Sequence, residues 1–90
     1  MTYQEIAKKL EVTPEELEKE SLEIYLRQKL RHFEAEIFKI TTKHGVNDVF
    51  QMDEMIKNGQ IHEKNSWQDF FLLDNMEAET KKIKELLDSI

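Results

Sequence analysis

The side chains best suited to chemistry are the three histidines and the carboxylates near them. His32, His44 and His62 form none of the His-x-x-x-His, Glu-x-x-His or His-Glu-x-x-His patterns that place metal ligands on one helix face. His32 and Glu36 are four residues apart, a spacing typical of a solvated ion pair on a helix. The chain has no cysteine, which excludes thiolate metal sites. The sequence therefore predicts no metal site and no cofactor.

Four carboxylates lie beside apolar positions, namely Glu34, Glu36, Asp69 and Asp74. Asp74 directly follows the apolar run of residues 70–73, and we expect an exposed carboxylate next to that run. The alternative is a buried acid paired with a base from another helix. Such a buried pair would contribute to structural specificity rather than to catalysis.

The sequence also lacks the motifs of a nucleophilic active site and of a phosphate-binding loop. Ser21, Ser66 and Ser89 have no neighbouring base signature, and two glycines, Gly45 and Gly59, cannot form a glycine-rich phosphate loop. We therefore predict no catalytic residue and a non-enzymatic protein.

A short match to a helical enzyme family provides the least favoured alternative. Leu26-Arg27 and Leu30-Arg31 resemble part of the first helix of the intertwined helical chorismate mutases. The resemblance implies a small enzyme that binds a dianion through several arginines and lysines from different helices. Arg27 and Arg31 are the only arginines here, and the acidic C-terminal region offers no complement.

A long helix predicted over residues 13–45 is the element that organises the chain. Thr13 begins a capping box with Pro14 at the first helical position, and Gly45 provides a left-handed stop. Its apolar residues recur every three or four positions, which predicts a heptad seam. The seam consists of Leu22, Leu26, Leu30, Phe33, Ile37 and Ile40, followed by His44.

Three further elements complete a single predicted domain over residues 1–90. A short helix occupies residues 1–12, a short helix with a connection occupies 46–65, and a C-terminal helix occupies 66–90. The capping signature of the last helix begins at Ser66 and ends at Asp69. Its seam residues are Leu72, Leu73, Met76, Thr80, Ile83, Leu87 and Ile90. The matched seams predict an all-α fold, an antiparallel hairpin of two long helices.

The seams predict which residues pack between the two long helices, and several apolar residues lie outside these seams. We expect the long helix over residues 13–45 to pack on the C-terminal helix through Leu72, Met76, Ile83 and Leu87 of the latter. The residues left for an interface between protein chains are Ile24, Tyr25, Phe38, Phe70, Phe71, Leu73 and Leu86. Because a two-helix hairpin cannot cover them, we expect a homodimeric helical bundle.

The N-terminal region suggests the second functional hypothesis, a DNA-binding regulator. Residues 6–17 resemble the first helix, the turn and the second-helix start of a helix-turn-helix motif. The position usually held by glycine is Glu11, and acids at positions 15, 16, 18 and 20 would face the phosphates. The net charge of −6 also opposes general nucleic-acid affinity, so no nucleic-acid partner is expected.

The charge is unevenly distributed along the chain. Residues 1–25 carry −4, residues 26–45 carry +3 and residues 46–90 carry −5. Such asymmetry can set the register of an antiparallel pairing or steer a charged partner.

The N-terminus lacks the pattern of a signal peptide, and no apolar run approaches the ~20 residues of a membrane span. We therefore expect a cytoplasmic protein without membrane contact.

The whole chain also resembles small, mostly archaeal helical proteins with an antitoxin-like arrangement and a helix-turn-helix-like N-terminus. The shared stretches are residues 5–10, 33–37, 43–46 and 66–71. The resemblance implies a non-catalytic partner protein, such as an antitoxin-type or adaptor subunit. Our first hypothesis is thus an oligomeric protein–protein interaction module that pairs with itself and with an unidentified protein.

Overall fold

Four α-helices and no strand make up the described part of the chain. The computed structural model describes residues 1–62 and 66–90. Its helices are α1 (Tyr3–Leu10), α2 (Pro14–His44), α3 (Val49–Lys57) and α4 (Ser66–Asp88). Helix α2 packs along α4, while α1 contacts α2 and α3 contacts α4. The predicted all-α hairpin is confirmed, and the last part of its predicted connection, residues 63–65, lies outside the described residues.

The helix starts follow the capping signals of the sequence. The hydroxyl of Thr2 accepts a hydrogen bond from the Glu5 amide at 3.3 Å, and that of Thr13 accepts one from the Glu16 amide at 3.0 Å. At α3 the Asp48 carboxylate accepts from the Gln51 amide at 2.8 Å. Each side chain satisfies a backbone donor that the first helical turn leaves free.

The helix ends use left-handed residues. Gly45 ends α2 with φ of 65°, and the next amide, that of Val46, donates to the Thr41 carbonyl at 2.9 Å. Helix α1 ends in the same way at Glu11, whose φ of 59° is unusual for a residue with a side chain. The motif thus overrides the steric preference at Glu11 and turns the chain sharply into α2.

The core lies at the closed end of the hairpin, where α2, α3 and α4 meet. Its buried members are Ile40, Val46, Met52, Ile56, Leu73 and Met76. Partly buried residues packed against them are Phe33, Ile37, Val49, Met55, Ile61 and Phe70. Two of the core residues come from α3, so this short helix contributes to the core rather than simply connecting α2 to α4.

The register of α4 differs from the prediction by one residue at its start. Leu73 is fully buried, whereas Leu72 is 47% exposed. The face of α4 that packs inward is lined by Leu73, Met76, Thr80, Ile83 and Leu87. The predicted contact through Leu72 is therefore wrong, and Leu73 belongs to the core instead of an outer interface. Adjacent helical residues point about 100° apart, so two consecutive leucines cannot share the seam.

The start of α4 also departs from its predicted capping box. Ser66 is the first helical residue and is buried, and its hydroxyl makes no hydrogen bond to any described residue. The Asp69 carboxylate bonds to two side chains of α2 instead of reaching back along its own helix. A contact between helices has thus replaced the local one.

The molecule is elongated because α2 extends beyond α4. Its principal dimensions are 60 × 23 × 16 Å. Asp69 lies beside His44, and Thr80 shares a cavity with Ile37, so α4 runs antiparallel to α2 and ends near the middle of it. The N-terminal part of α2 consequently extends past the end of α4, and α1 packs against α2.

Candidate functional site

Exposed apolar side chains are the most distinctive surface feature. Five of the seven residues predicted to form an interface are exposed, namely Ile24, Tyr25, Phe38, Phe71 and Leu86. Phe70 is partly buried against the core, and Leu73 is buried within the chain. Most of the predicted set therefore lies on the surface, although not on a single face.

Two of the exposed residues mark a second side of α2. Phe38 is 69% exposed and Ile24 is 59% exposed, and two heptads separate them in the sequence. Residues seven apart on a helix differ by only about 20° in direction, so these two lie on one side. Ile37 and Ile40 pack towards α4. Ile24 therefore belongs to the side of α2 that faces away from α4, whereas Phe38 borders an open cavity that Thr80 and Lys84 of α4 also line.

A groove between α1 and α2 lies on the protruding end. Its open cavity of about 350 Å³ is lined by Tyr3, Ile6, Leu17, Glu18, Ser21 and Leu22. The Tyr3 hydroxyl donates a 3.0 Å hydrogen bond to the Glu18 carboxylate, and this bond raises the pKa of the tyrosine. The bond fixes α1 against α2 over residues 17–22, and Ile24 lies two residues beyond the last lining residue of this groove.

An aromatic cluster lies at the opposite end, on the first turns of α4. The ring centroids of Trp67 and Phe70 are 5.5 Å apart, and those of Phe70 and Phe71 are also 5.5 Å apart. Both pairs have the edge-to-face geometry that aromatic rings prefer. Phe70 reaches the core, while Trp67 and Phe71 remain exposed. The cluster is thus a second apolar patch, about one hairpin length from Ile24.

The Asp69 side chain of α4 bonds to two side chains of α2. Its Oδ2 atom lies 2.8 Å from Lys43 Nζ and 2.7 Å from His44 Nε2. The hydrogen bond from Lys43, with a second from His44, holds the pKa of Asp69 below its usual value despite partial burial. His44 is the last residue of α2, and it pairs with α4 through this contact. This cluster sets the antiparallel register at the closed end.

The Asp69 cluster leads to a prediction about pH. A lowered folded-state pKa means that the interaction is present above the unfolded-state value of about 3.9 and is lost as pH falls through the folded-state value. Asp69→Asn should reduce the free energy of unfolding by about 1 kcal/mol at pH 7, because Lys43 and His44 both lose a charged acceptor near solvent. Urea unfolding at pH 7 and pH 3 should show the difference from the wild type shrinking at pH 3. The matched control is Asp74→Asn on an exposed acid, and a difference as large at pH 3 would contradict the assignment.

Glu77 is a polar contact that the sequence reasoning missed. Its carboxylate accepts a 2.9 Å hydrogen bond from the Val49 amide and so stabilises the start of α3. Burial raises the pKa of Glu77, although the bond from Val49 acts in the opposite direction. Glu77 follows Leu73 by four residues and precedes Thr80 by three, so helical spacing already places it on the inward face. Asp74, by contrast, is exposed as expected.

The remaining histidines show no metal-binding arrangement. His32 is exposed and lies next to the ring of Phe33, with centroids 5.7 Å apart. In residues 1–62 and 66–90, no three His, Asp or Glu side chains come close enough to hold a metal ion. The described acids with shifted pKa values, Asp69 and Glu77, are both engaged in contacts between helices.

The fold and the exposed residues together describe an elongated, all-α hairpin protein with apolar side chains on its surface. The chain belongs to the Uncharacterized protein MJ0235 family, which it matches over residues 1–90. No curated protein and no solved structure matches the chain. Among the described helices, none combines the length and the apolar character that crossing a membrane requires.

Proposed function

We propose that the protein is a non-enzymatic protein–protein interaction module that forms a homodimer in the cytoplasm. In this role it would act as an antitoxin-type or adaptor subunit and present its surface to a further protein. The exposure of large apolar side chains along an elongated hairpin is the single observation that carries the proposal. The antitoxin-type role rests on the resemblance of the sequence alone.

The exposed side chains support association for an energetic reason. Large exposed apolar side chains lose their contact with water when they are buried in an interface between two proteins. Ile24, Tyr25 and Phe38 are each more than half exposed on the same long helix. Burial of apolar area contributes roughly 25 cal/mol per Å², and a screening length of about 8 Å at physiological salt weakens repulsion between like-charged copies.

The polar contacts support a structural rather than a chemical role. Asp69 and Glu77 have shifted pKa values, which often mark active sites. Here both carboxylates face the backbone or side chains of a neighbouring helix. Their perturbation is therefore explained by helix packing and supplies no argument for catalysis.

The helix-turn-helix alternative gains no support from the surface of α1 and α2. The left-handed Glu11 does give the sharp turn that such motifs need. However, the exposed start of α2 carries acids at positions 15, 16, 18 and 20. These carboxylates would meet the phosphate backbone of DNA with repulsion.

Sedimentation equilibrium over a wide concentration range tests the proposed association. We expect a species of about 21.6 kDa, twice the chain mass of 10.8 kDa, at tens of micromolar. The variant Ile24→Asn should weaken the dimer by roughly tenfold or more because it removes a large exposed apolar side chain from the interface. Leu72→Asn is the matched control, since Leu72 is exposed on α4 but lies outside the proposed interface. A wild-type species that remains at 10.8 kDa would contradict the homodimer.

A further inference from the structure

We propose that the second copy docks antiparallel along α2, about a two-fold axis that passes close to Ile24. The inference rests on the proposed self-association and specifies its geometry. The contact would extend from about Glu16 to Arg31 on each chain. Its occupant is therefore the same helix of another copy, rather than an unrelated protein or a segment of this chain.

The centre of this contact is apolar and accessible. Ile24 is 59% exposed within the well-formed helix α2, and Tyr25, which points about 100° away from it, is 55% exposed at the edge of the contact. Lys29 lies over the Tyr25 ring, with Nζ 5.4 Å from its centroid. Helix α4 packs on the other side of α2, and the groove with α1 ends at Leu22. Ile24 itself is therefore accessible to another helix, which would pass beside α1 where Leu17 lines the groove.

The charges on either side of Ile24 are opposite in sign. The N-terminal side, residues 15–23, holds five glutamates and one lysine. The C-terminal side, residues 25–33, holds two arginines and one lysine and no acid. An antiparallel copy centred on Ile24 brings the acidic side of each chain against the basic side of the other. A parallel copy would place like charges together, which is unfavourable.

A heptad repeat gives this side of α2 a helix-packing pattern. Leu17, Ile24, Arg31 and Phe38 recur every seven residues. In the proposed pairing Ile24 meets its own counterpart at the axis, as a two-fold interface requires. Arg31 then lies near Leu17 of the second copy, beside the glutamates at positions 16 and 20. Leu17 also lines the groove with α1, so the arginine stem can contact only its open edge while the guanidinium reaches the carboxylates.

One intramolecular ion pair lies within the contact and is compatible with it. Arg27 donates to Glu23 at 3.0 Å, and the Arg27 side chain remains 57% exposed. A guanidinium has five N–H donors, so one carboxylate does not exhaust them. Arg27 can therefore bind Glu23 of its own helix and an acid of the second copy together.

Cysteine cross-linking tests the position of the axis. The chain has no native cysteine, so Ile24→Cys introduces a unique thiol. Because a disulfide needs Cα atoms about 4.4–6.8 Å apart, oxidation should link two copies rapidly only if residue 24 lies at the axis. Phe71→Cys is the control, with the same 59% exposure at the other end of the molecule. Linkage at 71 but not at 24 would overturn the register.

A charge exchange tests the antiparallel direction independently of the cysteine variants. The variant Arg27→Glu with Arg31→Glu should dissociate at least roughly tenfold more readily than the wild type, and so should Glu16→Lys with Glu20→Lys. An equimolar mixture of the two variants should form heterodimers, because every contact then joins an acid to a base. Sedimentation equilibrium of each variant and of the mixture provides the readout.

The outcomes separate this geometry from the proposed function. Wild-type protein that never dimerises would remove both proposals together. A wild-type dimer that tolerates both charge variants, or a mixture that stays dissociated, would leave self-association intact and overturn the α2 pairing. Circular dichroism confirms that each variant retains its helices, so a loss of dimer is not a loss of fold.

Discussion

Replacing Leu73 with alanine is expected to lower the free energy of unfolding by about 3–5 kcal/mol. Leu73 is fully buried at the centre of the core, between α4 and the neighbouring α2 and α3. Truncation removes the transfer free energy of the buried methyl groups and leaves a cavity that helices on both sides can fill only in part. Urea unfolding followed by circular dichroism at one fixed protein concentration gives the value, since association would shift the apparent stability.

The adjacent Leu72 provides the matched control. Leu72→Ala removes the same atoms from a side chain that is 47% exposed, and we expect a loss below about 1 kcal/mol. The pair tests the register of α4, because the prediction from sequence placed Leu72 in the seam. Equal losses at the two positions, or a larger one at Leu72, would show that α4 is rotated relative to the described packing.

Replacing Met52 with alanine should have the next largest effect, a loss of about 2–4 kcal/mol. Met52 lies on the nine-residue helix α3 and is fully buried against the core. An isolated helix of this length is unstable in water, so its contribution depends on tertiary packing. The variant should therefore lower the urea midpoint of the whole protein in one cooperative transition.

Phe50 supplies the comparison on the same helix. It lies two residues before Met52 and is 78% exposed, so Phe50→Ala should change stability by less than about 0.5 kcal/mol. A small effect of Met52→Ala together with normal unfolding of the rest would indicate that α3 detaches independently. In that case the Glu77 bond to Val49 would also be too weak to hold α3 in place.

The helix boundaries could be predicted because their signals are local. The Thr2, Thr13 and Asp48 side chains each bond to an amide three residues later. Gly45 ends α2 by its own conformational freedom. Such contacts involve one turn of chain, so residue types and spacing are sufficient to identify them.

The packing of α4 could not be obtained in the same way. Leu72 and Leu73 are adjacent leucines, and periodicity allowed either one to begin the seam. The choice depends on α3, which packs against α4 and buries Met52 and Ile56 beside Leu73. The capping box predicted at Ser66 failed for a related reason, because Lys43 and His44 bind Asp69 from a distant part of the chain.

The exposed apolar residues could be predicted only as those that lie outside the heptad seams. Ile24, Tyr25 and Phe38 fell outside the seam, and they are exposed in the structure. What the sequence left undetermined was their distribution, since the aromatic cluster and Ile24 lie far apart on the elongated molecule. Glu77 was identifiable by helical spacing, but its bond to Val49 depends on where α3 begins.

The protruding half of α2 has a consequence for frictional drag. The Cα radius of gyration is 18.9 Å, whereas a compact chain of 90 residues would have one of about 12 Å. A compact chain with the larger radius would contain roughly 290 residues. A single copy therefore diffuses slowly for its mass and leaves a gel-filtration column earlier than a spherical standard of the same mass. A compact dimer would also emerge earlier than that standard. Column volume consequently reports the length of α2 as much as the number of chains.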